Sequence, residues 1–165
     1  MSDDDGRALA AAVGRIGLWT AHFEGQPFAR EGAAAADLES QGWPALWFIE
    51  AFGREALTQA ALLLGATERM VIATGIANAW GRDGTALEAA GRTLAEAHAD
   101  RFVLGLGASH GPLVGMRGHR YERPLTRMRE VFDHMDEASF QGAMSSARVT
   151  RVLAALGPRA QGDAR

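Results

Sequence analysis

The sequence predicts an α/β fold with a parallel sheet, and three observations carry that prediction. Five short apolar runs recur along the chain. Each is continuous rather than alternating, the pattern of a parallel strand buried on both faces. Between them lie longer segments whose apolar residues repeat at helical spacing, so that strand and helix alternate as βα units.

The elements follow in order. Residues 1–12 read as a polar, then Ala-rich lead-in. Residues 15–20 (RIGLWT) form the first strand, ended by Gln26-Pro27. Residues 29–41 make an Ala-rich helix, with Gly42 placed for the residue that closes it. The second strand is 45–50 (ALWFIE), and the helix over 54–65 sets Leu57, Ala60, Ala61 and Leu64 on one face. Residues 69–78 (RMVIATGIAN), rich in β-branched side chains, are the third strand. The helix over 85–99 aligns Leu87, Ala90, Leu94 and Ala97, and 102–106 is the fourth strand. The helix over 124–137 aligns Leu125, Met128, Phe132 and Met135, with Pro124 suited to its first turn. Residues 151–156 (RVLAAL) are the fifth strand. Two stretches lack a period and read as loops: 108–123, Gly-rich with two His and three Arg, and 138–150, small and polar.

Composition narrows the function classes. Of 165 residues, 47 % are apolar and 22 % charged, an ordinary globular balance with enough chain for one core. The 20 glycines suggest tight turns and close helix–strand packing. The net charge of −3 gives no reason to expect nucleic acid or an anionic membrane as partner. With 0 Cys, disulfides, thiolate metal sites and a cysteine nucleophile are excluded. His98, His110, His119 and His134 lack metal-binding helical spacing, and no GxSxG elbow or phosphate-binding P-loop occurs. The longest apolar runs, such as AALLL at 60–64, are too short for a bilayer, and the acidic start MSDDD is unlike a secretory signal. A cytoplasmic location is the expectation.

Periodicity leaves a doubly wound sheet and a (β/α)₈ barrel both open. The doubly wound nucleotide-binding reading lacks a GxGxxG after the first strand. The residues themselves are more specific. RMVIATGIANAW, then ADRFVLGLGASH, QGWPALWFIEAFGREALTQAALLLGATERM, RGHRYERPLTRMREVFDHMD and RVLAALGPR form an ordered set over residues 13–159. This set resembles the luciferase-like monooxygenase family, and within it the F420-dependent oxidoreductases. The resemblance implies a TIM-type barrel of which this chain would hold about five parallel strands and four or more helices. A full barrel needs about 250 residues. The chain therefore reads as the N-terminal half: a lead-in over 1–12, a truncated barrel domain over 13–159 and a tail over 160–165. Such a half is expected to expose two parallel edges and an apolar interior, surfaces that favour a homo-oligomer.

Ligands of parallel α/β folds sit at the C-terminal ends of strands. By resemblance, the cofactor is F420, with FMN as the alternative, and hydride passes between it and a small organic substrate. The implied cofactor-binding residues are Trp19, Glu50, Gly75, Ile76, Asn78, Gly107, Ala108, Ser109 and Gly157. Gly75-Ile76 falls at the family's non-prolyl cis peptide, whose bulge backs the central ring. His110 stands where sugar-phosphate-oxidising relatives carry a glutamate proton donor, and histidines exchange protons near neutral pH. Glu50 takes the place of an acidic residue that contacts the ring. His110 and Glu50 are thus the catalytic candidates. Ala51 stands where those relatives place a catalytic His, which argues against sugar-phosphate dehydrogenation. Read from the residues alone, Glu50 is equally a helix cap or a partner of Arg54, and His110 a loop histidine. The competing functional reading is a non-enzymatic chain that dimerises, or binds flavin without turnover.

Overall fold

The computed structural model describes residues 3–143 and 149–154. Helix α1 (Asp3–Val13) precedes β1 (Leu18–Thr20) and a 3₁₀ turn (His22–Gly25). There follow α2 (Phe28–Ser40), β2 (Ala45–Phe48), α3 (Ala56–Ala66), β3 (Val71–Thr74), β4 (Ala77–Asn78), α4 (Gly84–Ala97) and β5 (Phe102–Gly107). Helices α5 (Gly111–Met116) and α6 (Pro124–Glu137) and strand β6 (Thr150–Leu153) complete the order. All pairings are parallel, and β1, β2, β3, β5 and β6 stand side by side in chain order. That sequential order belongs to a barrel, not to a doubly wound sheet, whose strand order reverses at a switch point. The fold is α/β, a partial TIM-type barrel.

The continuous apolar runs are explained by two buried faces. On one face, Leu46, Phe48, Ile72, Phe102, Leu104 and Leu106 meet Leu57, Leu63, Leu87, Val131 and Met135 from the helices. On the inner face lie Ala45, Val71, Ala73 and Val103, with Trp47 and Val152 beside them. Most helix ends are set by local chemistry. The Glu55 and Asp83 side chains accept backbone amides at the starts of α3 and α4, and Pro124 opens α6. Gly42 closes α2 at φ +89°.

Four expectations are corrected. The lead-in is helical: Leu9 and Val13 of α1 pack on the inner face, where Ala45, Val71, Ala73 and Val103 are only 0–5 % exposed. The lower part of the barrel interior is therefore covered, not open. The loop over 108–123 contains α5, which two glycines in six residues hid, although Pro112 stands in its first turn and Leu113 and Val114 are buried. The third strand is two, β3 and β4. From Ala73 to Ala77 it has one residue more than β5 has from Val103 to Leu106, a β-bulge. The fifth strand begins one residue earlier than expected, at Thr150. Gly157 and the tail over 160–165 lie outside the described residues. No helix among those described is long and apolar enough to cross a membrane.

Candidate functional site

The bulge sits at the C-terminal end of the sheet, and its neighbours hold it from several sides. The peptide between Gly75 and Ile76 is cis. The Gly75 amide donates to Phe48 O at 2.6 Å, and the Glu50 amide to Ile76 O at 3.2 Å. On the inner side, Trp19 Nε1 donates to Gly75 O at 2.8 Å, while the indole stays 58 % exposed. On the far side, the Thr74 hydroxyl both donates to Gly105 O and accepts from Gly105 N, at 2.8 and 2.9 Å. Two glycines are required here by protein atoms. A Cβ on Gly105 would run into the Thr74 carbonyl, and one on Gly107 would stand 2.8 Å from Ile76 Cγ1. Ala79 N donates to Gly107 O at 3.0 Å, which ties the exit of the bulge to the end of β5.

Glu50 lies beneath this surface, not on it. Its side chain is 1 % exposed. Its Oε2 accepts the Asn78 amide at 2.7 Å, and Oε1 faces the Ala56 amide at the start of α3 at 3.5 Å. Arg82 NH2 lies 2.5 Å from Oε1 and NH1 3.1 Å from Oε2, while Arg117 NH2 stands 3.4 Å from Oε1. Arg82 NH2 also reaches Glu55 Oε1 at 2.5 Å. Burial by itself lowers the Arg82 pKa, but the two carboxylates outweigh it and push the value up. Burial likewise raises Glu55, yet the Thr58 and Leu57 groups and the Arg82 charge bring its carboxyl below the ordinary 4.5. The sequence reading made Glu50 a catalytic candidate. Both of its oxygens face backbone amides and arginines, and its side chain is out of solvent. Its arginine partners are Arg82 and Arg117, not Arg54.

The structure thus brings together Trp19, Glu50, Gly75, Ile76, Asn78, Gly107 and Ala108. Asn78 Oδ1 accepts Trp80 N at 2.9 Å, and Trp80 Nε1 donates to Ala108 O at 2.9 Å. Ser109 has the left-handed φ of +59°, uncommon without glycine. His110 is exposed at the start of α5, where its side chain makes no cap bond. Gly157 lies outside the described residues. Among those described, no group of His, Asp and Glu is arranged to hold a metal ion. Beside Trp80, a cleft of about 490 Å³ is lined by His119, Arg120, Arg123, Thr126 and Arg127 among others. The Arg127 guanidinium is 5.6 Å from the Trp80 ring centroid and donates to Ala79 O at 3.0 Å. Sequence reasoning missed Arg82 and Trp80. The available signal was their place in the loop directly after a strand's C-terminal end.

Comparison with known proteins adds the family. The model of the luciferase-like monooxygenases matches residues 9–154. A Mycobacterium tuberculosis protein whose name proposes a coenzyme F420-dependent oxidoreductase is 33 % identical over 121 residues, covering 72 % of this chain and 35 % of that protein. This chain therefore spans about a third of that relative's length. Among solved structures, an F420-dependent secondary alcohol dehydrogenase with an F420–acetone adduct superposes with TM-score 0.72 at 17 % identity, over 88 % of this chain and 53 % of that one. The F420-dependent tetrahydromethanopterin reductase of Methanopyrus kandleri gives 0.69 at 16 %, over 87 % and 51 %. The FMN-bound oxygenating constituent of 3,6-diketocamphane monooxygenase from Pseudomonas putida gives 0.64 at 18 %, over 73 % and 37 %. The structural likenesses agree on the partial barrel, and with the match over residues 9–154 the chain belongs to the luciferase-like monooxygenase family.

Proposed function

We propose that this chain is the cofactor-cradling half of an F420-dependent oxidoreductase, with FMN as the alternative cofactor. One observation carries the reading: the backbone of residues 75–78 is bulged at the C-terminal end of the sheet and tied on every side to neighbouring strands. The residues present fit a planar heterocycle. Gly75 and Ile76 are half-buried, and the Trp19 indole is exposed beside them with its orientation fixed by Gly75 O. When bound, F420 supplies hydride chemistry that no side chain offers. The chain's own residues do the rest. The 75–78 backbone and Trp19 would hold the ring, and Asn78, Ala108 and Ser109 would form the loop edge beside it. His110, exposed at the start of α5 and without a side-chain cap bond, would be the group that moves a proton. A small organic substrate completes the reading.

Anaerobic titration of the full chain with F420, and separately with FMN, tests it. Quenching of tryptophan emission and a shift of the cofactor band are expected with F420. No change with either cofactor in excess overturns the proposal. A second reading is favoured by the edges of β1 and β6, each paired on one side only among the described residues: a chain that self-associates and binds cofactor without turnover. Light scattering combined with an assay on small alcohols and ketones separates the two. Turnover by a monomer excludes the second reading.

A further inference from the structure

The tie between Glu50 and the Asn78 amide differs from the others around the bulge, because it runs through a buried charge. A carboxylate at 1 % exposure is held there only with a counter-charge close by. Arg82 supplies it in a two-pronged contact, NH2 to Oε1 at 2.5 Å and NH1 to Oε2 at 3.1 Å. Arg82 is itself only 11 % exposed and is anchored on its outer side by Glu55 at the start of α3. It lies four residues beyond Asn78, so the loop leaving the bulge turns back and clamps the carboxylate that fixes the bulge. Arg117, arriving from the end of α5, adds a longer contact at 3.4 Å.

We propose that Arg82 is a positioning residue of this site: by fixing Glu50 it fixes the Asn78 amide, and with it the backbone of residues 75–78 on which the cofactor ring rests. This assignment relies on the cradle reading above for its functional part. Its structural part stands on the contacts alone, and the experiment separates the two. Arg82 touches neither substrate nor cofactor in this scheme. It acts through Glu50.

The test uses the full chain and the variants Arg82→Met, Arg82→Lys and the double variant Glu50→Gln/Arg82→Met. The double variant removes both buried charges, so the one carboxylate left without Arg82 is Glu55, whose side chain is 46 % exposed, and the introduced carboxamide keeps an acceptor oxygen. Amide hydrogen exchange without cofactor is the first readout. In Arg82→Met, exchange at Asn78 is expected to quicken at least tenfold, while Leu104 in β5 and Val131 in α6 keep their rates. The double variant, and Arg82→Lys with its charge but not its fork, recover part of the protection. The second readout is F420 binding. Arg82→Met is expected to bind at least tenfold more weakly, with the bound band moved toward that of free F420, and Arg82→Lys to restore part of both. Unchanged exchange at Asn78 overturns the proposal. So does an equal loss of protection at Asn78, Leu104 and Val131, which marks a general stabiliser. If Arg82→Met does not fold, the double variant decides by the same criterion. If the unaltered chain binds neither cofactor, the cradle reading fails, and exchange at Asn78 still decides the clamp.

Discussion

Glu31 gives a sharp test of how this fold tolerates charge away from the site. It lies in α2 with its side chain 0 % exposed, 3.1 Å from Arg54 Nε, whose side chain is 28 % exposed. Gln59 Nε2 donates to it at 2.5 Å. Burial pushes the Glu31 carboxyl above the ordinary 4.5, and Gln59 and Arg54 offset only part of that rise. Arg54→Met leaves the folded chain two choices: an unpaired buried charge, or a bound proton. Breaking a buried pair from one side destabilises by about 3–5 kcal/mol. Protonation sets a ceiling on that figure. At 1.36 kcal/mol per pH unit, keeping a carboxyl of ordinary value 4.5 neutral at pH 7 takes about 3.4 kcal/mol. A further contribution of about 1 kcal/mol, independent of pH, comes from the lost Arg54 bond to Gln26 O. The sign is fixed by linkage. The folded state binds the proton more tightly than the unfolded state, so stability falls as pH rises through that window and returns on acidification. Urea unfolding between about pH 5 and pH 7 measures this. The variant is expected to lose at most about 4 kcal/mol at pH 7, because the unaltered chain already bears part of the Glu31 burial penalty, and the gap to shrink by up to about 1.4 kcal/mol per unit toward pH 5. The same loss at pH 5 and pH 7 refutes the assignment of the penalty to Glu31.

Three further outcomes follow from other contacts. Gly105→Ala drives a Cβ into the Thr74 carbonyl, a backbone atom that cannot swing away. A loss of about 3 kcal/mol in urea unfolding is expected, and a loss under about 1 kcal/mol contradicts the packing. Leu9→Asp sets a charge against the apolar inner layer of Ala45, Val71 and Val103. Stability is expected to fall by about 2–3 kcal/mol with increased binding of a hydrophobic dye, and an unchanged midpoint contradicts the covering role of α1. Glu39 accepts the amides of Glu68, Arg69 and Met70 at 2.6–3.1 Å. Burial alone raises its pKa, but these amides and Arg69 outweigh it and hold the carboxyl below 4.5. Its stabilisation is therefore present above pH 4.5 and lost as pH falls through the lower folded value. Glu39→Gln is expected to lose about 1–2 kcal/mol at pH 7 by urea unfolding and little near pH 3, and a gap that stays constant refutes this.

Much of the fold is legible where one residue's chemistry acts locally. Helix α6 begins and ends where Pro124 and its apolar spacing placed it, and α2, α3 and α4 lie within two residues of expectation. Helix α1 and helix α5 were not legible. Neither forms a long apolar stripe of its own, and each is stabilised by what it covers. The bulge is a similar case. Residues 69–78 read as one strand because the extra residue shows only when the register against β5 is counted.

The site divides along the same line. From the sequence alone, the order of strands and helices, the residues at the strand ends and the family likeness were set, because spacing and residue type act over a few positions. Only the tertiary structure decided what surrounds Trp19 and Glu50. Trp19 became the neighbour of Gly75 through a contact 56 residues apart. Glu50 became a buried anchor because Arg82, 32 residues on, returns to it. A carboxylate's role depends on whether water or a cation surrounds it, and that environment is assembled by long-range packing that no local pattern encodes.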